Sequence, residues 1–330
     1  MSSVSKLPLV VVVGPTAVGK TEVSIRLAQR LDAELVSADS RQFYRGMDIG
    51  TAKPTVAQRA LVPHHLVDIA DPDDTVSLAV FQRLALNAIS GIHARGRLPL
   101  LVGGTGQYIR AVARGWKPPP VRPDPKLRSA LERLILDRGP LWLHDRLESM
   151  DPQAAQAIDY RNARRTIRAL EVILTSGHRF YSQRLEADSA YHLVSIGLML
   201  RRPELYKRID ARIEHMFASG LIQETQGLLS HGYSPALPAL SAIGYDECLK
   251  VISGAMQLDE AKAAMRRRTR LFVRRQANWF KDSDPSIKWF DLDDGNALSA
   301  IEAFLNEETS LWQSSFRHSI PPAGPHHCLG

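Results

Sequence analysis

Gly14, Gly19, Lys20 and Thr21 stand in the spacing Gly-x-x-x-x-Gly-Lys-Thr, the pattern of a backbone loop that cradles phosphate. Each residue type has a physical reason. Glycine lets the chain wrap closely round an anion with its N–H groups turned inward. Lys20 brings a mobile cation to the far phosphate, and the Thr21 hydroxyl suits Mg²⁺. The loop specifies phosphate or pyrophosphate. It specifies neither ATP nor a kinase. Asp39, in Asp39-Ser40-Arg41-Gln42-Phe43-Tyr44, is a second candidate. It is either a carboxylate aimed at the same ligand crevice or a helix N-cap, a position that Asp and Ser often fill. Gly103-Gly104-Thr105-Gly106 is a third, a glycine turn that a ligand could approach, although Thr105 suits an N-cap equally well.

These residues need elements behind them. Residues 9–13 are a run of apolar, mostly β-branched side chains that suits a strand buried on both faces, and residues 22–31 have helical apolar spacing. Strand, loop and helix therefore occur in the order that phosphate binding requires. Further strands are expected at 34–38, 64–69, 98–102, 191–200 and 287–292. Ligands of open parallel sheets sit outside the carboxyl ends of the strands, which brings Asp39 towards the loop. His64 and His65 are adjacent on their strand and point to opposite faces, so they make a poor chelate. Helices are expected at 77–94 and 107–114.

A proline-rich stretch, residues 116–125, marks a boundary, and residues 126–176 then read as a small helical insert. Within it Arg161, Arg164, Arg165 and Arg168 fall at i, i+3, i+4 and i+7, a basic stripe with no acid in it on a helix. A later helix opens near Pro203. Its Arg208 and Arg212 lie one turn apart and either clamp a diphosphate or pair with Asp210 and Glu214. The long helix over 261–281 carries six arginines in ten residues: Arg266, Arg267, Arg268, Arg270, Arg274 and Arg275. Leu271, Phe272, Trp279 and Phe280 are expected to form its packed edge. That arginine density is the strongest nucleic-acid signal in the chain.

The chain has 330 residues, enough for one large domain or two smaller ones. Its net charge of +7 favours an anionic partner. Two cysteines, Cys248 and Cys328, exclude a disulfide framework and a cysteine metal cluster. No run approaches the roughly 20 apolar residues of a membrane span, and the apolar N-terminal run ends in the phosphate loop, unlike a secretory leader. A cytoplasmic protein is expected, with no membrane partner.

Six segments in order resemble the tRNA dimethylallyltransferase, or tRNA isopentenyltransferase, family. They are residues 14–21, residues 39–44, Asp48-Ile49-Gly50-Thr51-Ala52-Lys53-Pro54, Leu101-Val102-Gly103-Gly104-Thr105-Gly106, Arg168-Ala169-Leu170-Glu171 and Ala242-Ile243-Gly244-Tyr245. The resemblance implies transfer of the dimethylallyl group of dimethylallyl diphosphate to N6 of the adenosine 3′ to a tRNA anticodon, releasing diphosphate. By that likeness Gly14, Pro15, Thr16, Ala17, Val18, Gly19, Lys20 and Thr21 hold the diphosphate, with Mg²⁺ on Thr21. Arg212 and Arg208 assist. Asp39 is the general base, and Thr105 lies beside the reacting centre. Asp39, Ser40, Arg41 and Gln42, then Arg164, Arg165, Thr166, Ile167 and Arg168, contact tRNA. Arg266, Arg268, Arg270 and Arg275 join them from the arginine-rich helix, on its charge density. Leu240 and Ser241 stand where the family commonly carries Arg and Gln, and Arg164 where it carries Gln.

The expected fold is α/β: a P-loop NTPase-like parallel sheet with flanking helices and an inserted small helical domain. Its parts are a core over 1–115 and 190–309, an insert over 116–189 for the anticodon stem-loop, and a disordered tail over 310–330. A monomer is expected. Three other readings stay open at this point. A small-molecule kinase would need an acidic residue ending a buried strand, and Val67-Asp68 is the candidate. An enzyme modifying free adenine nucleotides would need neither insert nor arginine helix. A non-catalytic RNA-binding protein would leave the loop and Asp39 without a purpose.

Overall fold

The apolar run of residues 7–13 becomes the centre of a parallel sheet, and every connection to it crosses over through helix. The computed structural model describes residues 6–116, 119–183 and 188–316, without the side chains of 309–316. In chain order the elements are β1 (Leu7–Val13), α1 (Lys20–Leu31), β2 (Ala33–Ser37), α2 (Val56–Leu61), β3 (His64–His65), α3 (Leu78–Ala94), β4 (Leu98–Val102) and α4 (Gly106–Ala113). Then follow α5 (Pro125–Arg138), α6 (Pro140–Met150), α7 (Pro152–Ala157) and α8 (Ala163–Ser176). The remainder is β5 (Tyr191–Met199), α9 (Arg202–Ala218), α10 (Leu221–Ser230), α11 (Tyr245–Ile252), α12 (Leu258–Ala277), β6 (Ile287–Asp291) and α13 (Ala297–Phe316).

The sheet order is β3-β2-β4-β1-β5-β6, and all pairings are parallel. Val11 of β1 lies opposite Leu101 of β4 and Ser195 of β5. Alternation along β1 feeds two apolar layers. Leu9, Val11 and Val13 pack with Phe43, Phe81 and α3, while Val10 and Val12 pack with α1 and α9. The expected third strand over 64–69 shrinks to two residues, because Leu66 and Asp68 adopt positive φ (62° and 57°) and turn the chain off the sheet.

The chain divides into two compact units, one up to Ala113 and from Ser189 on, the other Arg114–Asp188. Among its described residues the smaller is helical, with α5 to α8 packed around Leu131, Leu143, Leu147, Leu170 and Ile173. Glu171 is fully buried there and is satisfied by Asp124 N–H, Arg128 and Arg168. Burial would raise its carboxyl, but the two arginines hold it below the usual range. A buried carboxylate without such partners would cost several kcal/mol, roughly 3–5 if one charged partner is removed.

Residues 310–316, expected as the start of a disordered tail, belong instead to α13, which runs on to Phe316. Residues 317–330, Cys328 among them, and residues 117–118 of the proline-rich break lie outside the described residues.

Candidate functional site

β1 ends at Val13, and the loop after it closes on itself. Gly14 has φ 149°, and a Cβ there would come within 2.6 Å of Leu198 O on the neighbouring strand. Gly19, in the left-handed region, starts α1 with no side-chain cap, so the first N–H groups of that helix stay open for an anion. The Lys20 ammonium donates to Gly14 O and Pro15 O at 2.9 and 2.8 Å. Burial pushes its pKa down to about 8; Arg212 adds to the shift and Asp39 opposes it.

Asp39 follows β2, as the parallel sheet requires. No helix starts there, so the N-cap alternative is not realised. Its Oδ1 accepts from Arg41 N–H at 3.0 Å, which fixes the carboxylate beside the loop. The Arg212 guanidinium comes from α9. Burial holds it below its usual range, with the Asp39 charge opposing. Arg208, one turn earlier, donates to Val18 O at 3.0 Å and so ties α9 to the phosphate loop. Asp210 and Glu214, weighed as partners of these arginines, pair instead with α12.

Two cavities meet at these residues. The larger, about 610 Å³, takes in Ser40, Arg41, Gly104, Thr105, Ile209, Ile213, Met216, Met265, Phe272 and Trp279. The smaller, about 310 Å³, takes in Gly19, Thr21, Gln42 and Arg208. Thr16, Ala17, Lys20, Asp39, Thr51 and Arg212 line both. A cation-rich, hydroxyl-bearing end thus opens into a larger, partly apolar chamber, with one carboxylate at the junction. Thr105 sits at the mouth of α4; its carbonyl accepts from Tyr108 and Ile109 N–H, and the residue lines the larger cavity. Asp68, the kinase-like candidate, lines neither cavity; Lys53 and Arg59 hold it.

Several expected nucleic-acid contacts are otherwise engaged. Arg161 precedes α8 and bonds Asp159, while Arg168 is spent on Glu171 and Val121 O, so the stripe is not acid-free. Thr166 and Ile167 are buried. Arg164 and Arg165 are exposed. On α12, Arg266 pairs with Glu214, Arg268 with Asp246 and Glu247, and Arg270 with both oxygens of Asp210. Acids on α9 and α11, distant in sequence, take them up. Arg267, Arg274 and Arg275 are exposed. Leu271, Phe272 and Trp279 do not form a packed edge. They are 41–46% exposed and line the larger cavity, and only Phe280 of that set is buried. Arg41 donates to Pro238 O at 3.1 Å, Ser37 donates to Gln42 at 3.0 Å, and Ser40 stays half-buried at the cavity.

Sequence reasoning missed Glu224 and Gln276. Glu224 accepts from the N–H groups of Asp48, Ile49 and Gly50 at 2.8–3.2 Å and from Tyr245 OH at 2.5 Å. This carboxylate joins residues 48–54 to residues 242–245, two segments that carried no visible link. Lys53, nearly fully buried, braces the same loop through Asp48, Asp68 and Tyr44 O. Neither glutamine nor glutamate had any local signal, because their partners are far along the chain. His64 Nδ1–H donates to Val62 O and His65 Nε2–H to the Glu34 carboxylate, and no metal-binding group of three acidic, histidine or cysteine residues exists among the described residues.

Comparison with known proteins follows the same lines. A family model described as IPP transferase matches residues 42–283, and one described as Isopentenyl transferase matches residues 7–61. The chain is 54% identical over 275 residues to a tRNA dimethylallyltransferase of Roseiflexus sp. (strain RS-1), covering 83% of this chain and 90% of that one. It is 45% identical over 290 residues to a tRNA dimethylallyltransferase of Geobacter sulfurreducens, covering 87% and 93%. The crystal structure of a full-length tRNA isopentenylpyrophosphate transferase from Bacillus halodurans superposes with a TM-score of 0.70 at 42% identity, over 95% of this chain and all of that one. A eukaryotic dimethylallyltransferase acting on tRNA superposes with a TM-score of 0.77 at 25% identity, over 93% and 80%.

Proposed function

The chain belongs to the IPP transferase family and is a tRNA dimethylallyltransferase, and from that premise we propose how its residues carry out the transfer. Dimethylallyl diphosphate is the donor, and N6 of the adenosine 3′ to the tRNA anticodon is the acceptor. The single observation that carries this reading is the junction of the two cavities at Lys20, Asp39 and Arg212.

The donor diphosphate lies in the loop of residues 14–21, against the open start of α1, with Lys20, Arg212 and Arg208 around it. Its five-carbon chain points into the larger chamber, beside Ile209, Ile213, Met216 and Met265. The adenine leaves its stack and enters the same chamber from the opposite side. An exocyclic amine is a weak nucleophile, because its lone pair is delocalised into the ring. Asp39 accepts the N6 proton as the C–N bond forms. The allylic C–O bond breaks, and its electron pair leaves with diphosphate. Charge gathers on that group, and the loop N–H groups, Lys20 and the arginines stabilise it.

The donor set also fits Mg²⁺. Thr21 offers a hydroxyl in the smaller cavity, and a hard cation bound mainly by phosphate oxygens and water needs few protein ligands. When bound there, it would neutralise part of the diphosphate charge. RNA is gripped through its backbone by the exposed Arg164, Arg165, Arg267, Arg274 and Arg275, with Ser40 and Arg41 at the cavity mouth. The reaction is expected in the cytoplasm, where tRNA is found, and among the described residues no helix is long and apolar enough to cross a membrane.

The test is transfer of label from dimethylallyl diphosphate, with Mg²⁺, to unmodified tRNA, to the isolated anticodon stem-loop and to AMP. Label in both RNAs and none in AMP is expected. Label in AMP alone would move the chain to nucleotide modification, and no label anywhere would remove the donor.

A further inference from the structure

Gln276 stands at the end of α12, next to two exposed arginines, yet its side chain is 5% exposed. Its Oε1 accepts the N–H of Thr16 in the phosphate loop at 2.9 Å, 260 residues away in sequence. Its Nε2 donates to Gly104 O at 3.1 Å, in the turn that carries Thr105. One side-chain amide thus joins the two loops that flank Asp39. Its own backbone is held as well, since Gln276 O accepts from Trp279 and Phe280 N–H at 3.0 and 3.2 Å.

The glycine turn is shaped to admit this helix end. A Cβ on Gly104 would overlap the Gln276 amide, and a Cβ on Gly106 would overlap the Trp279 ring. The close approach that these two glycines permit is therefore to protein, while the turn still lines the larger cavity. The bridge needs a long side chain that both accepts and donates. An acid would have no N–H for Gly104 O, and a lysine would have no acceptor for Thr16 N–H.

We propose that Gln276 is a positioning residue for the transfer: it sets the phosphate loop through Thr16 and the Thr105 turn through Gly104 in one fixed register, so that the donor diphosphate is seated at the distance from Asp39 that the reaction needs. The proposal rests on the donor-site reading above. It differs from a packing role in what it touches. Losing the amide frees the loop that seats the donor, while the exposed arginine face of α12 keeps its charge and its contacts with RNA.

Two variants break the bridge from opposite ends. Gln276→Met keeps the volume and removes both hydrogen bonds. Gly104→Ala leaves the glutamine in place and pushes its amide aside, with the new methyl otherwise in ordinary contact, 3.5 Å from Gly14 O. Each is measured in the full chain for donor KM, tRNA KM, kcat, inhibition by pyrophosphate and thermal midpoint. Each single change is expected to raise donor KM and the pyrophosphate inhibition constant by about tenfold, with tRNA KM within about twofold. The double variant is expected to be no worse than the poorer single one, because both remove the same bonds. Donor KM and pyrophosphate inhibition unchanged in both singles would overturn the proposal, and so would single effects that multiply to about a hundredfold. A wild-type enzyme that pyrophosphate does not inhibit would overturn the donor-site reading itself, and the proposal with it.

Discussion

Lys20 is asked to carry charge in a place that disfavours charge. Its ammonium is held by two loop carbonyls and depressed to about 8 by burial. In the free enzyme the charged form is therefore lost as pH rises through about 8, and donor capture is lost with it. kcat/KM for the donor is expected to fall tenfold per pH unit above that value. Lys20→Arg, which stays charged, should flatten this fall even if its absolute rate is poor; a profile that still falls would assign the titration to another group. Asp39 has the opposite task. Asp39→Asn keeps size and hydrogen bonding but cannot take a proton, and turnover should drop by about 10²–10⁴ with tRNA affinity kept. Turnover within threefold of wild type would remove Asp39 as the base.

At the scale of elements, α12 shows how charge density in sequence differs from charge offered to a partner. Six arginines in ten residues read as one nucleic-acid face, but three are neutralised by acids on α9 and α11. Changing Arg267, Arg274 and Arg275 together to Ala should lower the slope of log Kd for tRNA against log salt by about 2. Arg270→Ala should instead lower the thermal midpoint, since it leaves Asp210 without the guanidinium nitrogen that bonds both its oxygens, and leave that slope unchanged. Equal slope losses in both would make the ion-paired face part of the RNA surface. The phosphate loop, β1, β2, β4 and β5 were legible in sequence because their signals are local: apolar runs, glycine spacing and a helix start. The pairing of Arg168 with Glu171 was hidden in a four-residue window, because nothing local says that Glu171 is buried. Glu224 and Gln276 were not legible, since each acts on residues more than 150 positions away.

Across the whole molecule the sheet keeps its two ends for different work. The site occupies the carboxyl ends of the strands. Nearer the amino end of β2, Glu34, 2% exposed, is gripped by Arg95, Arg97 and His65. Hydrogen bonds from Arg95 do most to lower its carboxyl from 4.5 to about 2, against the pull of burial. A carboxyl lower in the folded state than in the unfolded state stabilises above the unfolded value and ceases to as pH falls. Wild-type thermal midpoint should therefore drop between about pH 4.5 and 2 more steeply than that of Glu34→Gln; parallel curves would show that the cluster does not govern acid unfolding. Glu224 has a consequence of another kind. Three successive N–H groups of residues 48–50 converge on it, an arrangement suited to an anion. The chain answers that arrangement with its own carboxylate. A stray phosphate, whether free or on RNA, meets an occupied seat beside the cavity, and the donor is left with one berth rather than two.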